Sequence, residues 1–110
     1  MWIFTTDGFY SVVQDGFCKP DEVVVRARIR QDLENILDNF EPEVEIIEIQ
    51  AADYRYRMIV PKQLWARYLM NSVKKIDYSN FKNQLDHGDD KRHQAYFRCW
   101  AAMNQFQKGK

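Results

Sequence analysis

The chain has 110 residues, and its sixteen Lys/Arg and sixteen Asp/Glu cancel to a formal net charge of +0. That length suits one compact domain, and a composition 45% hydrophobic and 15% aromatic fills a core and argues against intrinsic disorder. Zero net charge argues against a dedicated polyanion binder. No apolar run approaches the roughly 18 residues of a membrane span, and the N-terminus lacks a basic region followed by an apolar stretch. A mature, soluble, cytoplasmic protein is expected. Cys18 and Cys99 are too few and too far apart for a disulfide scaffold or a zinc knuckle.

The charges divide sharply along the chain. Residues 1–53 hold twelve Asp/Glu against four Lys/Arg, a balance of −8, and residues 54–110 hold twelve Lys/Arg against four Asp/Glu, a balance of +8. Either the halves neutralise each other within one fold, or the basic half turns a face to an acidic partner.

Trp2–Thr6 and Phe9–Gln14 are rich in aromatic and β-branched residues and flank Asp7-Gly8. They form a hairpin, or one long strand with a glycine bulge at Gly8. A second Asp-Gly at residues 15–16, followed by Lys19-Pro20-Asp21, marks a loop. Val23–Arg28 reads as a strand with Val23, Val25 and Ala27 on one side and Arg26 and Arg28 on the other. Ile29, Leu33, Ile36, Leu37 and Phe40 keep helical spacing, and Pro42 ends that segment.

Val44–Gln50 and Tyr54–Val60 are β-prone runs; Glu45 and Glu48 on the first face Arg55 and Arg57 on the second as expected cross-strand ion pairs. Pro61 opens a second amphipathic helix with Leu64, Trp65, Tyr68, Leu69, Val73 and Ile76 inside, and Lys62, Arg67, Lys74 and Lys75 outside. Asp77 or Ser79 caps a short turn through Leu85, which Gly88 stops. Asp89 or Asp90 caps a last helix whose inner stripe is Ala95, Tyr96, Cys99, Trp100, Met103 and Phe106.

The order of strand, strand, helix, strand, strand, helix, helix, helix predicts an α+β domain spanning 1–110, with helices on one face of an antiparallel sheet. Its ββαββα part is what circular permutation of a ferredoxin-like βαββαβ domain gives, with further C-terminal helices. The opening Trp2, Phe4, Thr5, Gly8, Phe9, Ser11, Val12 and Val13 resembles the start of a family of small uncharacterised bacterial proteins. The stretches Val25–Arg28 with Arg30, Asp32 and Leu33, Asp53-Tyr54 with Tyr56-Arg57, Ile76–Tyr78 with Asn80–Lys82, and Tyr96 with Trp100 resemble it too. The chain departs from it at Glu41–Glu48 and around His87–Asp90. The resemblance implies one intracellular domain and carries no activity with it.

Four sets of residues bear on chemistry. Arg26, Arg28, Arg55, Arg57, Tyr54 and Tyr56 offer a sheet surface that stacks bases and contacts phosphates. Against this, alternation turns Tyr54 and Tyr56 inward if Arg55 and Arg57 face solvent, leaving arginines paired with Glu45, Glu48 and Asp32. The second set, Asp77, Asn80 and Lys82 with His87, offers weak catalytic candidates for hydrolysis or anion capture; helix capping explains the same residues. His87, Asp89, Asp90 and His93 lack zinc spacing, and a helix stop and cap account for them, so neither metal nor cofactor is expected. Lys91 and Arg92 in a first helical turn call for a partner acid. Last, Cys99 reads as a buried, inert thiol and Cys18 as a loop thiol beside Lys19.

The expected function is a non-catalytic interaction module of the bacterial or phage cytoplasm. It binds a protein partner through Arg55, Arg57, Lys62, Arg67, Lys74 and Lys75. The alternatives are a single-stranded RNA or DNA binder using the basic half and a small metal-dependent hydrolase or nuclease. Pairing of Trp2–Thr6 across a two-fold axis would make a homodimer.

Overall fold

The computed structural model describes residues 1–40 and 44–109. It is α+β: five antiparallel strands and three α-helices. Contacts divide the chain into two compact units, Met1–Ile76 and Asp77–Lys110.

The first unit opens with a hairpin of β1 (Trp2–Thr5) and β2 (Gly8–Val13). Thr5 pairs with Gly8, so the two-residue turn is Thr6-Asp7 and Gly8 already belongs to the strand. Gly8 is there for a close approach, described below, and not for a turn. With β3 (Glu22–Ala27), three strands precede the first helix, which places one strand ahead of the anticipated ββαββα order.

The helix anticipated over Ile29–Phe40 is broken. α1 covers only Arg30–Glu34, and a 3-10 turn covers Leu37–Asn39. Asn35 donates from its side chain to the Asp7 carbonyl (2.8 Å) and Asn39 to the Ile36 carbonyl (3.0 Å). Such side-chain bonds compete with a regular helix. The apolar spacing still works: Leu33, Ile36 and Phe40 are buried, although Ile29 is exposed. Pro42 lies outside the described residues.

β4 is reduced to Ile47–Glu48, and β5 spans Tyr56–Pro61. The strand order is β1-β2-β3-β5-β4. Pro61 serves as the N-cap of α2 (Lys62–Lys74), where its missing N–H costs nothing. Tyr10, Val12, Val25, Ala27, Met58 and Val60 project from one sheet face against Leu33, Ile36, Phe40, Trp65 and Tyr68. Both α1 and α2 pack on that face, and each such large side chain contributes roughly 1.5–3 kcal/mol on burial. Val73 and Ile76, expected inside, are exposed: α2 ends at Lys74, and Val73 lies more than a quarter-turn round from Tyr68.

The second unit contains a 3-10 turn, Phe81–Gln84, and α3, Asp90–Lys108. Asn80, rather than Asp77 or Ser79, caps the turn by accepting from the Lys82 N–H (2.9 Å). Asp89 caps α3, accepting from the Arg92 N–H at 3.0 Å. Leu85 and Tyr96 are its buried apolar residues.

Candidate binding surfaces

The six cations singled out from the sequence fall on two opposite sides of the first unit. Met58 and Val60 point to the core, so alternation sends Arg57 to the sheet face turned away from α1 and α2. Arg55 is exposed just before that strand. Lys62, Arg67 and Lys74 are exposed on α2, with Lys75 as its C-cap. Between them lie Met70 and Val73, 50% and 65% exposed.

The ion pairs Arg28–Asp53 (3.1 Å), Arg30–Glu34 (2.9 Å) and Arg92–Asp89 (3.2 Å) each join residues of the same half of the sequence. Among the described residues, none of Arg55, Arg57, Lys62, Arg67, Lys74 and Lys75 has an ion-pair partner. The anticipated pairing with Glu45 and Glu48 does not form. Glu48 lies opposite Tyr56 and Ile47 opposite Arg57, so the register brings an isoleucine, not an acid, to the arginine. Glu48 accepts from Gln50 instead (3.3 Å). Arg92 does have its acid: it reaches back to Asp89 and donates to the Tyr96 hydroxyl (2.8 Å).

The sheet face away from α1 and α2 is built from alternate residues of the same strands. Phe4 and Phe9 are cross-strand partners stacked at 4.5 Å, with Trp2 edge-on to Phe9 at 6.0 Å. Next to them Ser11 lies opposite Arg26, and Arg26 lies opposite Arg57. Tyr54 departs from the alternation argument. β5 begins at Tyr56, so the period of two does not extend back to residue 54, and only Tyr56 packs toward the helices. The Tyr54 ring instead sits 4.6 Å from the Arg26 guanidinium carbon, 4.4 Å from that of Arg28, and 6.4 Å from Phe9. It is buried on the arginine side of the sheet.

Three of the four weak catalytic candidates, all in the second unit, make side-chain contacts there. Asn80 caps a turn, and the Lys82 ammonium stands 5.6 Å from the Phe97 ring and 5.1 Å from Trp100. His87 stacks on His93 at 6.0 Å, and the His93 Nε2 lies 3.1 Å from the Asp86 carbonyl; Asp77 is exposed. Among the described residues no group of three His, Cys, Asp or Glu has a metal-holding arrangement, and no helix is long and apolar enough to cross a membrane.

The anticipated inner stripe of α3 is largely on the outside. Trp100, Met103 and Phe106 are 51%, 64% and 59% exposed, as is Phe97 at 53%, and Cys99 is exposed, not buried. A stripe at helical spacing specifies which side chains share a face, but not that another element covers it. Phe97 was invisible to that reading, since it lies on the flank of the stripe; it stacks on Trp100 at 5.8 Å. Cys18 is half-buried, its thiol within 3.6 Å of the Glu22 carbonyl.

Comparison with known protein families, curated proteins and solved structures finds no match for this chain.

Proposed function

We propose that the protein is a non-catalytic interaction module of the bacterial or phage cytoplasm that docks an acidic protein surface on the outward face of α2. One observation carries this reading. Residues 54–76 contain six Lys/Arg and no Asp/Glu, and the α2 cations Lys62, Arg67 and Lys74 stand exposed around Met70 and Val73 with no ion-pair partner among the described residues. A cationic rim around an apolar centre matches a partner with an apolar centre and an acidic rim.

A single-stranded nucleic acid is the competing occupant. A phosphodiester backbone gains nothing from Met70 and Val73, and the −8 of residues 1–53 repels a long polyanion. Protein docking is therefore favoured.

The test is crosslinking capture from the native cell with wild type and with an Arg67→Glu, Lys74→Glu, Lys75→Glu variant of unchanged melting temperature. The expected result is a protein recovered by wild type and lost by the variant. Equal recovery by both overturns the α2 surface. Binding of single-stranded oligonucleotides that falls steeply with salt replaces the protein reading with the nucleic-acid one.

Two finer statements accompany this reading. The strand order β2-β3-β5-β4 is the one a circularly permuted ferredoxin-like domain has, with β1 added at the edge, which supports that assignment. Membership of the family of small uncharacterised bacterial proteins is proposed on the sequence motifs, from Trp2–Val13 to Tyr96 and Trp100.

A further inference from the structure

The arginine side of the sheet holds a charge arrangement that the α2 surface does not explain. Arg26 and Arg57 are direct partners across β3 and β5, both on the face away from the core. Like charges placed opposite one another on neighbouring strands destabilise a sheet, and these two are only part-exposed, so water screens them incompletely. Arg28 joins them through the shared Tyr54 ring.

Neutral groups hold the cluster in place. Arg26 Nη2 donates to the Ser11 hydroxyl at 2.7 Å, and Arg57 Nη2 donates to the Tyr54 carbonyl at 3.1 Å. Asp53 brings the one ion pair among these side chains. It lies on Arg28 at 3.1 Å, with both side chains well exposed, where such a pair is weak. Three guanidiniums against one carboxylate leave two positive charges. Moreover, Arg57 Nε is buried without a hydrogen-bond partner, a costly state for a donor on a charged group.

From this geometry we infer that the sheet face binds a phosphate-type oxyanion between Arg26 and Arg57, with Arg28 completing the positive field. A tetrahedral dianion matches the excess of two charges. Its oxygens accept from guanidinium N–H groups in the forked geometry that makes arginine the preferred phosphate contact. Serine and tyrosine set the guanidiniums in advance, so binding does not have to order long side chains. The aromatic group Phe4, Phe9 and Trp2 continues the same face, so the oxyanion belongs either to free phosphate or to a nucleotide whose base reaches those rings.

The experiment is a titration of the full chain by NMR, at constant ionic strength and with chloride as the comparison anion. Inorganic phosphate is one arm and a short single-stranded oligonucleotide the other. Saturable shifts are expected at the Arg57 Nε–H and the Arg26 guanidinium. Arg57→Gln weakens phosphate binding by about tenfold or more, the factor that loss of one charge-assisted contact gives. Arg26→Gln does the same and stands in if Arg57→Gln does not fold. Lys91→Gln, on α3, leaves phosphate binding unchanged. A tighter oligonucleotide arm with shifts at Phe9 assigns the oxyanion to a nucleic acid; equal arms assign it to free phosphate. No saturable response to either ligand up to about 50 mM phosphate, or a response that survives both arginine substitutions, overturns the site.

Discussion

Asp32 occupies the space that a side chain on Gly8 would need. A Cβ built on Gly8 falls 2.5 Å from the Asp32 Cγ and 2.8 Å from its Cβ, and Asp32 is buried where its Oδ2 accepts from the Phe9 N–H at 3.1 Å. The aspartate thus replaces a turn bond at the start of β2 and fixes α1 against the hairpin. Gly8→Ala forces the carboxylate away and is expected to cost about 1–3 kcal/mol, the usual range for overpacking. Chemical denaturation measures it. In a double-mutant cycle Gly8→Ala costs clearly less in an Asp32→Gly background, because the Cγ, Oδ2 and Cβ atoms it would meet are all gone. Additive losses would mean that the two positions act independently.

The tip of the same hairpin is tied to α2. The Tyr68 hydroxyl donates its one proton to the Asp7 carboxylate and so accepts from the Thr5 hydroxyl, each at 2.8 Å, while Thr5 Oγ1 accepts from the Asp7 N–H (3.1 Å). Burial pushes the phenols of Tyr68 and Tyr10 well above their ordinary value of 10.0. The fold therefore holds both protonated. Their contribution is complete below about pH 10 and declines as pH rises further, because the unfolded chain releases those protons first. Alkaline titration followed by ultraviolet absorbance is expected to show a late tyrosinate step coincident with loss of circular dichroism. Tyr68→Phe removes part of that step and destabilises the fold by about 1–2 kcal/mol at neutral pH. Ionisation of every tyrosine before unfolding would contradict the burial of these two.

Much of the first unit is legible in the sequence, because alternation and helical spacing report directly on which residues share a face. Val25 and Ala27 against Arg26 and Arg28, and Trp65 with Tyr68, are read that way and are placed so. What escapes is set by contacts distant in sequence. Tyr54 sits outside the period of β5 and takes its position from Arg26 on β3 and Arg28 just beyond it. The α1 helix is cut short by Asn35 bonding to a hairpin residue 28 positions away. The cross-strand ion pairs fail because register, which depends on the loop of residues 49–55, brings Ile47 to Arg57. Of the candidate site, the free cations of α2 were legible, whereas the Arg26–Arg57 pairing required the register of two strands separated by a helix.

The second unit depends on the start of α3. The Arg92 backbone N–H, followed by its guanidinium, holds the Asp89 carboxyl below the ordinary carboxylate range. A depressed value means that the contribution is present at neutral pH and is lost as pH falls through the folded-state value. Asp89→Ala is expected to cost this helix about 1 kcal/mol. Amide exchange across residues 90–96 at neutral pH should quicken by a corresponding factor, with little change in β2 and β3. Asp89→Asn, which keeps a capping oxygen, should restore most of the protection and remove its acid dependence. Exchange that is unaltered in Asp89→Ala would mean that the cap is unimportant.

Two tryptophans separate the covered from the uncovered apolar surface. Trp65 is 5% exposed and meets Tyr10 at 5.9 Å and Tyr68 at 5.1 Å, so Trp65→Ala leaves a cavity and is expected to cost about 3–5 kcal/mol. Trp100 keeps half its surface in solvent, and its described contacts are the Phe97 stack and the Lys82 ammonium, each worth roughly 0.5–1.5 kcal/mol at most. Trp100→Ala should therefore lower stability by about 1–2.5 kcal/mol, less than Trp65→Ala. Intrinsic fluorescence tests the same contrast, with a red-shifted, readily quenched Trp100 component and a shielded Trp65 component. A core-sized loss for Trp100→Ala would mean that the outer side of α3 is covered in solution.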